Sequence, residues 1–241
     1  MKMLEFFKVK RPWDVTWAHA VNDKERLKRF CSDNTMMIEG DISLSKNGEI
    51  IMAHPPKRES DLTFDEWIET ILKFHKGAKL DFKDPAVVIP VLKELEKMKI
   101  DIPIFLNADI LRGPGGSDLV FNPSEFISNC NEYYSKANYL SLGWTVGYTL
   151  LGKYTSKMVN DMISAGRESI IPVTVSVLAY YMPRSWNALR EIFEKSEDTI
   201  TIWDIKKVRV SEKLKNWIKS NMDKNRTFVD LIDKKGAPIR I

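Results

Sequence analysis

Cysteine is nearly absent from this chain: its 241 residues hold two, Cys31 and Cys130. A secreted disulfide framework would normally need more. Both are therefore expected as reduced thiols, and neither forms a metal-ligand set with the histidines. Long apolar runs are missing too. Nothing approaches the roughly 20 apolar residues of a membrane span. The opening stretch, Met1 to Arg11, has no long apolar core and no small-residue cleavage site, so it does not read as a signal peptide. These absences give the expectation of a cytoplasmic protein with no transmembrane segment; a longer chain carrying a leader would make it secreted. A strong charge of one sign is also lacking. Lys and Arg number 37 against 33 Asp and Glu, a net charge of +4. That mild basic bias fits a phosphate-bearing substrate. The most basic stretch, from Lys206 to Arg240, reads as a solvated helix face plus a tail. There is no internal repeat, low-complexity tract or interdomain linker, so residues 1–241 read as a single domain with no obligate protein partner.

What is present is an alternation. Apolar, β-branched or aromatic runs at 14–18, 36–42, 77–82, 103–107, 139–143, 171–177, 199–203 and 227–231 read as strands. Helical patterns fill the intervals at 23–31, 63–74, 86–98, 123–134, 155–165, 185–195 and 211–221. Thr63 to Glu66 reads as a capping box, and Asn122-Pro123 and Ser211 as helix starts. Strand then helix, repeated, with eight strands in all, predicts an α/β fold closed as a (β/α)8 TIM barrel. Asn47-Gly48 predicts a hairpin turn whose returning arm runs from Glu49 to Ala53. The glycine-rich stretch 111–117 is expected to be the most flexible loop, on the face where barrel active sites sit.

Two of the strands carry charge where a buried strand should be apolar. In Met36 to Ile42, Glu39 and Asp41 share one face; in Lys79 to Lys83, Lys79, Asp81 and Lys83 share one face. Burying unpaired carboxylates is costly, and a bound cation is the usual offset. At the mouth of a barrel these residues meet His19 after the first strand, His54 after the hairpin arm, Asn107 and Asp109 at the fourth strand, Trp144 after the fifth and Trp203 at the seventh. Oxygen ligands from Glu39, Asp41 and Asp81 suit one hard divalent cation, Mg²⁺ or Ca²⁺ with Mn²⁺ as a further choice. His19 and His54 titrate in the range needed for an acid–base pair. Lys83, with Lys79, Asn107, Trp144 and Trp203, forms the expected substrate-binding set. A metal-free ion network of Glu39 and Asp41 with the two lysines is the bland alternative.

A histidine after strand one, Glu-x-Asp after strand two, a second histidine, then an acidic residue and a lysine on strand three resembles the phospholipase-C-like phosphodiesterase superfamily, which includes glycerophosphodiester phosphodiesterases and venom sphingomyelinase D. The motifs are His19, Glu39-Gly40-Asp41, His54, Asp81 and Lys83. The resemblance implies that the three carboxylates bind metal, the histidines act as acid and base, the lysine contacts phosphate, and Trp203 lines the pocket. The chain departs from glycerophosphodiesterases in having His19-Ala20 for His-Arg and His54-Pro55 for His-Asp. A closer resemblance is to the menorin family. It is carried by Thr16 to Asn22, Met52 to Pro56, Lys79 to Lys83, Asn107 to Ile110 with Gly113-Pro114-Gly115, and Leu140 to Thr145.

The expected function is a metal-dependent phosphodiesterase (a hydrolase or cyclising lyase) using the two histidines. A substrate hydroxyl beside the phosphorus would give a cyclic phosphate. The substrate classes are glycerophosphodiesters, lysophospholipids with their lipid headgroups, and RNA-type phosphodiesters. The alternative is a non-catalytic binding module on the same barrel.

Overall fold

The computed structural model describes residues 3–147, 149–204, 210–233 and 237–241. Its sheet runs β1 (Trp17–Ala18), β2 (Met37–Leu44), β3 (Ile50–Met52), β4 (Gly77–Phe82), β5 (Ile104–Arg112), β6 (Tyr139–Thr145), β7 (Val173–Leu178), β8 (Thr199–Trp203) and β9 (Thr227–Asp230). The strands pair in the order β1-β2-β4-β5-β6-β7-β8-β9, all in parallel, with β3 antiparallel on β2. β9 returns beside β1: the Trp17 and Phe228 rings meet edge-on at 5.9 Å, and His19 bonds Asp230. The result is a nearly closed barrel of eight parallel strands, the (β/α)8 fold expected from the alternation.

The helices are α1 (Met3–Phe6), α2 (Lys24–Cys31), α3 (Phe64–Lys73), α4 (Val88–Lys97), α5 (Pro123–Tyr133), α6 (Ser156–Gly166), α7 (Met182–Leu189), α8 (Glu191–Lys195) and α9 (Glu212–Asn221). Asp23, Thr63, Asn122, Thr155 and Ser211 each accept a backbone N–H at a helix start, and Thr63 with Glu66 closes the capping box. Apolar stripes at three- and four-residue spacing bury helices against the outer barrel wall. Trp67, Ile68 and Ile71 do this for α3, and Val91, Leu92 and Leu95 for α4.

Inside the barrel two layers differ in chemistry. At the N-terminal ends of the strands Trp17, Met37, Phe105 and Phe228 pack with Met3 of α1, which closes that end. Full burial of each such side chain contributes about 1.5–3 kcal/mol. One pleat further along, the inward positions turn polar: Glu39, Lys79, Asn107, Ser141, Thr174 and Thr201 are all buried.

The boundaries differ from expectation by a residue or two at several ends and most clearly in four places. Residues 14–16 are not strand, because Pro12–Asp14 forms a 3-10 turn tied by Arg11 to Asp14. The helix expected at 86–98 starts at Val88, behind a 3-10 turn capped by Asp84. The single helix expected at 185–195 begins at Met182, with Pro183 in its first turn, and divides at Arg190. β5 extends to Arg112, so the 111–117 stretch begins as strand and is then tied down. Gly113 N–H donates to Thr145 O, and Thr145 Oγ1 donates to Ser117 O. A Cβ on Gly116 would lie 2.0 Å from Thr145 O. The hairpin forms as expected, with Gly48 at φ +85°.

Candidate active site

Register delivers the charged residues. Glu39 lies opposite Lys79 and Asp41 opposite Asp81 across β2 and β4, and Asp81 lies opposite Asn107 across β4 and β5. Side chains two apart share a face, so all of these point into the barrel. Asp41, Lys79, Asp81 and Asn107 line the floor and inner wall of a cavity of about 1030 Å³ at the C-terminal mouth, and Glu39 lies buried behind them. The cavity lining also includes His19, His54, Lys83 and Trp203.

The turn after β1 is built around Glu39. Ala20, at φ +55°, donates its N–H to Glu39 Oε2, and Val21 N–H donates to Glu39 O. Asn22 clasps Asp41 from both sides: Nδ2 donates to Asp41 Oδ2 at 2.6 Å, and Oδ1 accepts Asp41 N–H at 2.9 Å. The hairpin arm β3 is fixed to the same strand, since Ala53 N–H donates to Asp41 O and Ser43 Oγ donates to Ala53 O. That places His54 on the rim. Lys83 Nζ lies 2.6 Å from Asp81 Oδ2 and 3.4 Å from Asp41 Oδ1. Asn107 Nδ2 donates to Asp81 Oδ1 at 2.7 Å, Ser176 Oγ donates to Asn107 Oδ1, and Ser141 Oγ bonds Ser176 Oγ.

Burial pushes Glu39 up to about 7, with Asp41 and Asp81 adding repulsion against the pull of His19 and Lys79. Burial raises Asp109 to about 6, opposed by Lys83. Burial also acts on Asp41, but Lys83, His54 and the Asn22 amide outweigh it and hold that carboxyl below its ordinary range. For His19, burial disfavours the cation, yet Glu39 and Asp230 raise it to about 10.

Glu39, Asp41 and Asp81 each bring one carboxylate oxygen within 4.8 Å of the others. Glu39 Oε1 is buried with no hydrogen-bond partner. An all-oxygen set with an orphaned buried carboxylate oxygen fits a hard divalent cation. The bland alternative is realised in part, because Lys83 already sits between Asp41 and Asp81. It leaves Glu39 Oε1 unanswered.

Of the residues expected at the site, the structure brings together His19, His54, Glu39, Asp41, Asp81, Lys83, Lys79, Asn107 and Trp203. Lys79 is 3% exposed at the cavity floor, 3.9 Å from Asp230. Trp203 stands parallel to His19, ring centroids 6.3 Å apart. Trp144 is not brought to the mouth. In β6 the inward positions are Ser141 and Gly143, so Trp144 faces the helices, 1% exposed and packed on Tyr154 at 4.7 Å. Two contributors were not foreseen. Asp230 accepts from His19 Nδ1 at 2.9 Å, and Asn22 holds Asp41. Asp230 carried the same signal as Asp81, a carboxylate at the end of an apolar strand. Asn22 lies in a loop, where sequence gives no such contrast.

Eight parallel strands with helices between them define a TIM barrel. The crystal structure of a "putative glycerophosphodiester phosphodiesterase" from Galdieria sulphuraria superposes with a TM-score of 0.58 at 14% identity, over 90% of this chain and 92% of that one. The family model for the Menorin N-terminal domain matches residues 13–235, and the chain belongs to the menorin family. Protein FAM151B of Homo sapiens is 34% identical over 230 residues, covering 91% of this chain and 83% of that protein. Among the described residues no helix is long and apolar enough to cross a membrane.

Proposed function

We propose that this chain is a metal-dependent phosphodiesterase in which His19 and His54 exchange protons with the reacting oxygens. The observation that carries the reading is the convergence of two histidines with Asp41 and Asp81 on one cavity, with Glu39 buried behind it, 3.3 Å from His19 Nδ1 and grouped with both aspartates. Both histidines are prepared in the same way. His19 Nδ1 is bonded to Asp230 and His54 Nδ1 to the Pro55 carbonyl at 2.6 Å. With Nδ1–H donated to an acceptor in each case, Nε2 is the nitrogen left to move a proton. One histidine takes the proton of the attacking hydroxyl or water, and the other gives one to the leaving oxygen.

Glu39, Asp41 and Asp81 would hold the cation, Mg²⁺ or Ca²⁺ by ligand type, and the cation supplies neutralisation of phosphoryl charge. Lys83 supplies a second positive group beside the same oxygens. Lys79 sets the potential of the floor from behind. Trp203 and the His19 ring form a flat wall for the group esterified to phosphate. All three expected substrate classes, glycerophosphodiesters, lysophospholipids and RNA-type phosphodiesters, present a hydroxyl beside the phosphorus. Attack by it would give a cyclic phosphate, which water can open.

The test is cleavage of glycerophosphocholine, lysophosphatidylcholine, short RNA and short DNA with Mg²⁺, Ca²⁺, Mn²⁺ or EDTA, beside Glu39→Ala, His19→Ala and His54→Ala. Cleavage that needs the cation, Glu39 and both histidines is the expected result. Cleavage that persists in His19→Ala and His54→Ala sinks the assignment.

A further inference from the structure

Five carboxylates lining the cavity are used by neither the metal set nor the acid–base pair. Asp23, Glu59, Asp61 and Asp204 each accept a hydrogen bond from the protein, and Asp109 is the one left. It is half-buried on β5, facing the mouth beside Asn107. No hydrogen bond or ion pair reaches its carboxylate from the described residues, whereas Asp41 and Asp81 are each held by an amide and by Lys83. Its placement is built. The β5–β6 ladder shifts register between Asp109 and Leu111, and such irregularities re-aim side chains beside active sites. Gly143, directly opposite on β6, leaves the room: a Cβ there would lie 2.2 Å from Asp109 Oδ1. Asp109 and Gly143 belong to two of the stretches singled out in the sequence, Asn107 to Ile110 and Leu140 to Thr145.

A half-buried carboxylate without a donor in the protein is partly desolvated, and a bound ligand that donates to it returns part of that cost. The donor must then come from what enters the cavity. Lys83 and Lys79 both act on Asp109 electrostatically. A further cation is therefore disfavoured beside them, and a neutral hydroxyl is favoured. The same cavity lining fits a short polyol: Ser176, whose hydroxyl donates to Asn107 and bonds Ser141, keeps one acceptor site, and Val146 and Leu178 are apolar.

We infer that Asp109 is a specificity residue that accepts a hydrogen bond from a hydroxyl on the alcohol esterified to phosphate, and that the substrate is a polyol phosphodiester, with glycerol or ribose as the two sources. The inference rests on the phosphodiesterase reading for the position of the phosphate.

The test is calorimetric binding of product-like monoesters to the full chain with Mg²⁺, which needs no turnover. Glycerol phosphate, ribose phosphate, n-propyl phosphate and phosphoethanolamine are compared on the wild type, Asp109→Asn and Asp109→Ala. A charge-assisted hydrogen bond in a buried site predicts that the wild type prefers a hydroxylated ester over n-propyl phosphate by roughly tenfold to a hundredfold. Asp109→Ala should erase that preference by weakening the hydroxylated ester alone, and Asp109→Asn, whose amide oxygen still accepts, should keep part of it. The better-bound hydroxylated ester names the source. Equal binding of hydroxylated and propyl esters by the wild type overturns the inference. So does tighter binding of phosphoethanolamine, or a preference that survives in Asp109→Ala. Binding of none of the four esters would instead remove the phosphate site, and the phosphodiesterase reading with it.

Discussion

Asp230 shows how much one residue does here. It is fully buried, and its Oδ2 bonds His19 Nδ1 while Oδ1 has no hydrogen-bond partner. A carboxylate in that place fixes the tautomer and tilt of the imidazole. Asp230→Asn should lower kcat by roughly tenfold to a hundredfold, because orientation of an acid–base group is part of its contribution. KM should hold, since Asp230 is not placed to touch substrate. A rise in KM at constant kcat would show that it serves binding instead. The cysteines allow a second expectation at this scale. Cys31 and Cys130 are buried and unpaired, and burial pushes the Cys31 thiol up to about 11. Burial shifts Cys130 in the same direction. Thiolates are the reactive form, so neither should react with a thiol reagent at pH 8 in the native state, and both should react after unfolding in denaturant. Rapid labelling of the folded protein would contradict the burial.

Elements carry the site through register, and this is where the sequence was most and least informative. Glu39-x-Asp41 and Asp81-x-Lys83 stood out because charge on one face of a strand contradicts burial, and the parallel pairing of β2 with β4 brings them side by side as expected. Trp144 misled because strand ends were judged by position in the chain, while the face a side chain takes depends on parity. One residue separates it from Gly143, and that residue turns it from the mouth to the helix layer. Its burial against Tyr154 predicts that Trp144→Ala costs about 3–5 kcal/mol of stability in urea denaturation. Trp144→Phe should leave KM for any cleaved substrate unchanged, and a raised KM would return the residue to the pocket. The extension of β5 was hidden for a different reason. Gly113, Gly115 and Gly116 signal a loop by composition, but here they allow close approach, as Gly113 does to the Trp144 side chain and Gly116 to the Thr145 backbone. Neither contact has a local sequence signature. The tie between His19 and Asp230 spans nearly the whole chain, so it too became visible only once the barrel had closed.

At the scale of the whole molecule, the barrel holds buried carboxylates at its mouth in a cluster that could hold a cation. Lys83 offsets Asp41 and Asp81, but Glu39 keeps one oxygen unanswered and is raised by burial toward neutrality. A cation that binds the folded state and not the unfolded chain stabilises by mass action, about 2.7 kcal/mol at a hundred times its Kd. For a domain of this size each kcal/mol moves Tm by about 2–4 °C, so saturating Mg²⁺ or Ca²⁺ should raise Tm by roughly 5–11 °C over EDTA. Glu39→Gln removes the charge that most needs the ion. It should therefore melt close to the wild type in EDTA, or above it, while losing most of the shift on adding cation. Lys83→Met should behave oppositely: it leaves Asp41 and Asp81 unpaired, so its stability in EDTA falls, and the cation then returns more than it does to the wild type. A Tm indifferent to both ions, in wild type and Lys83→Met alike, would mean that the lysine alone balances the carboxylates and that the mouth is an ion network without a metal.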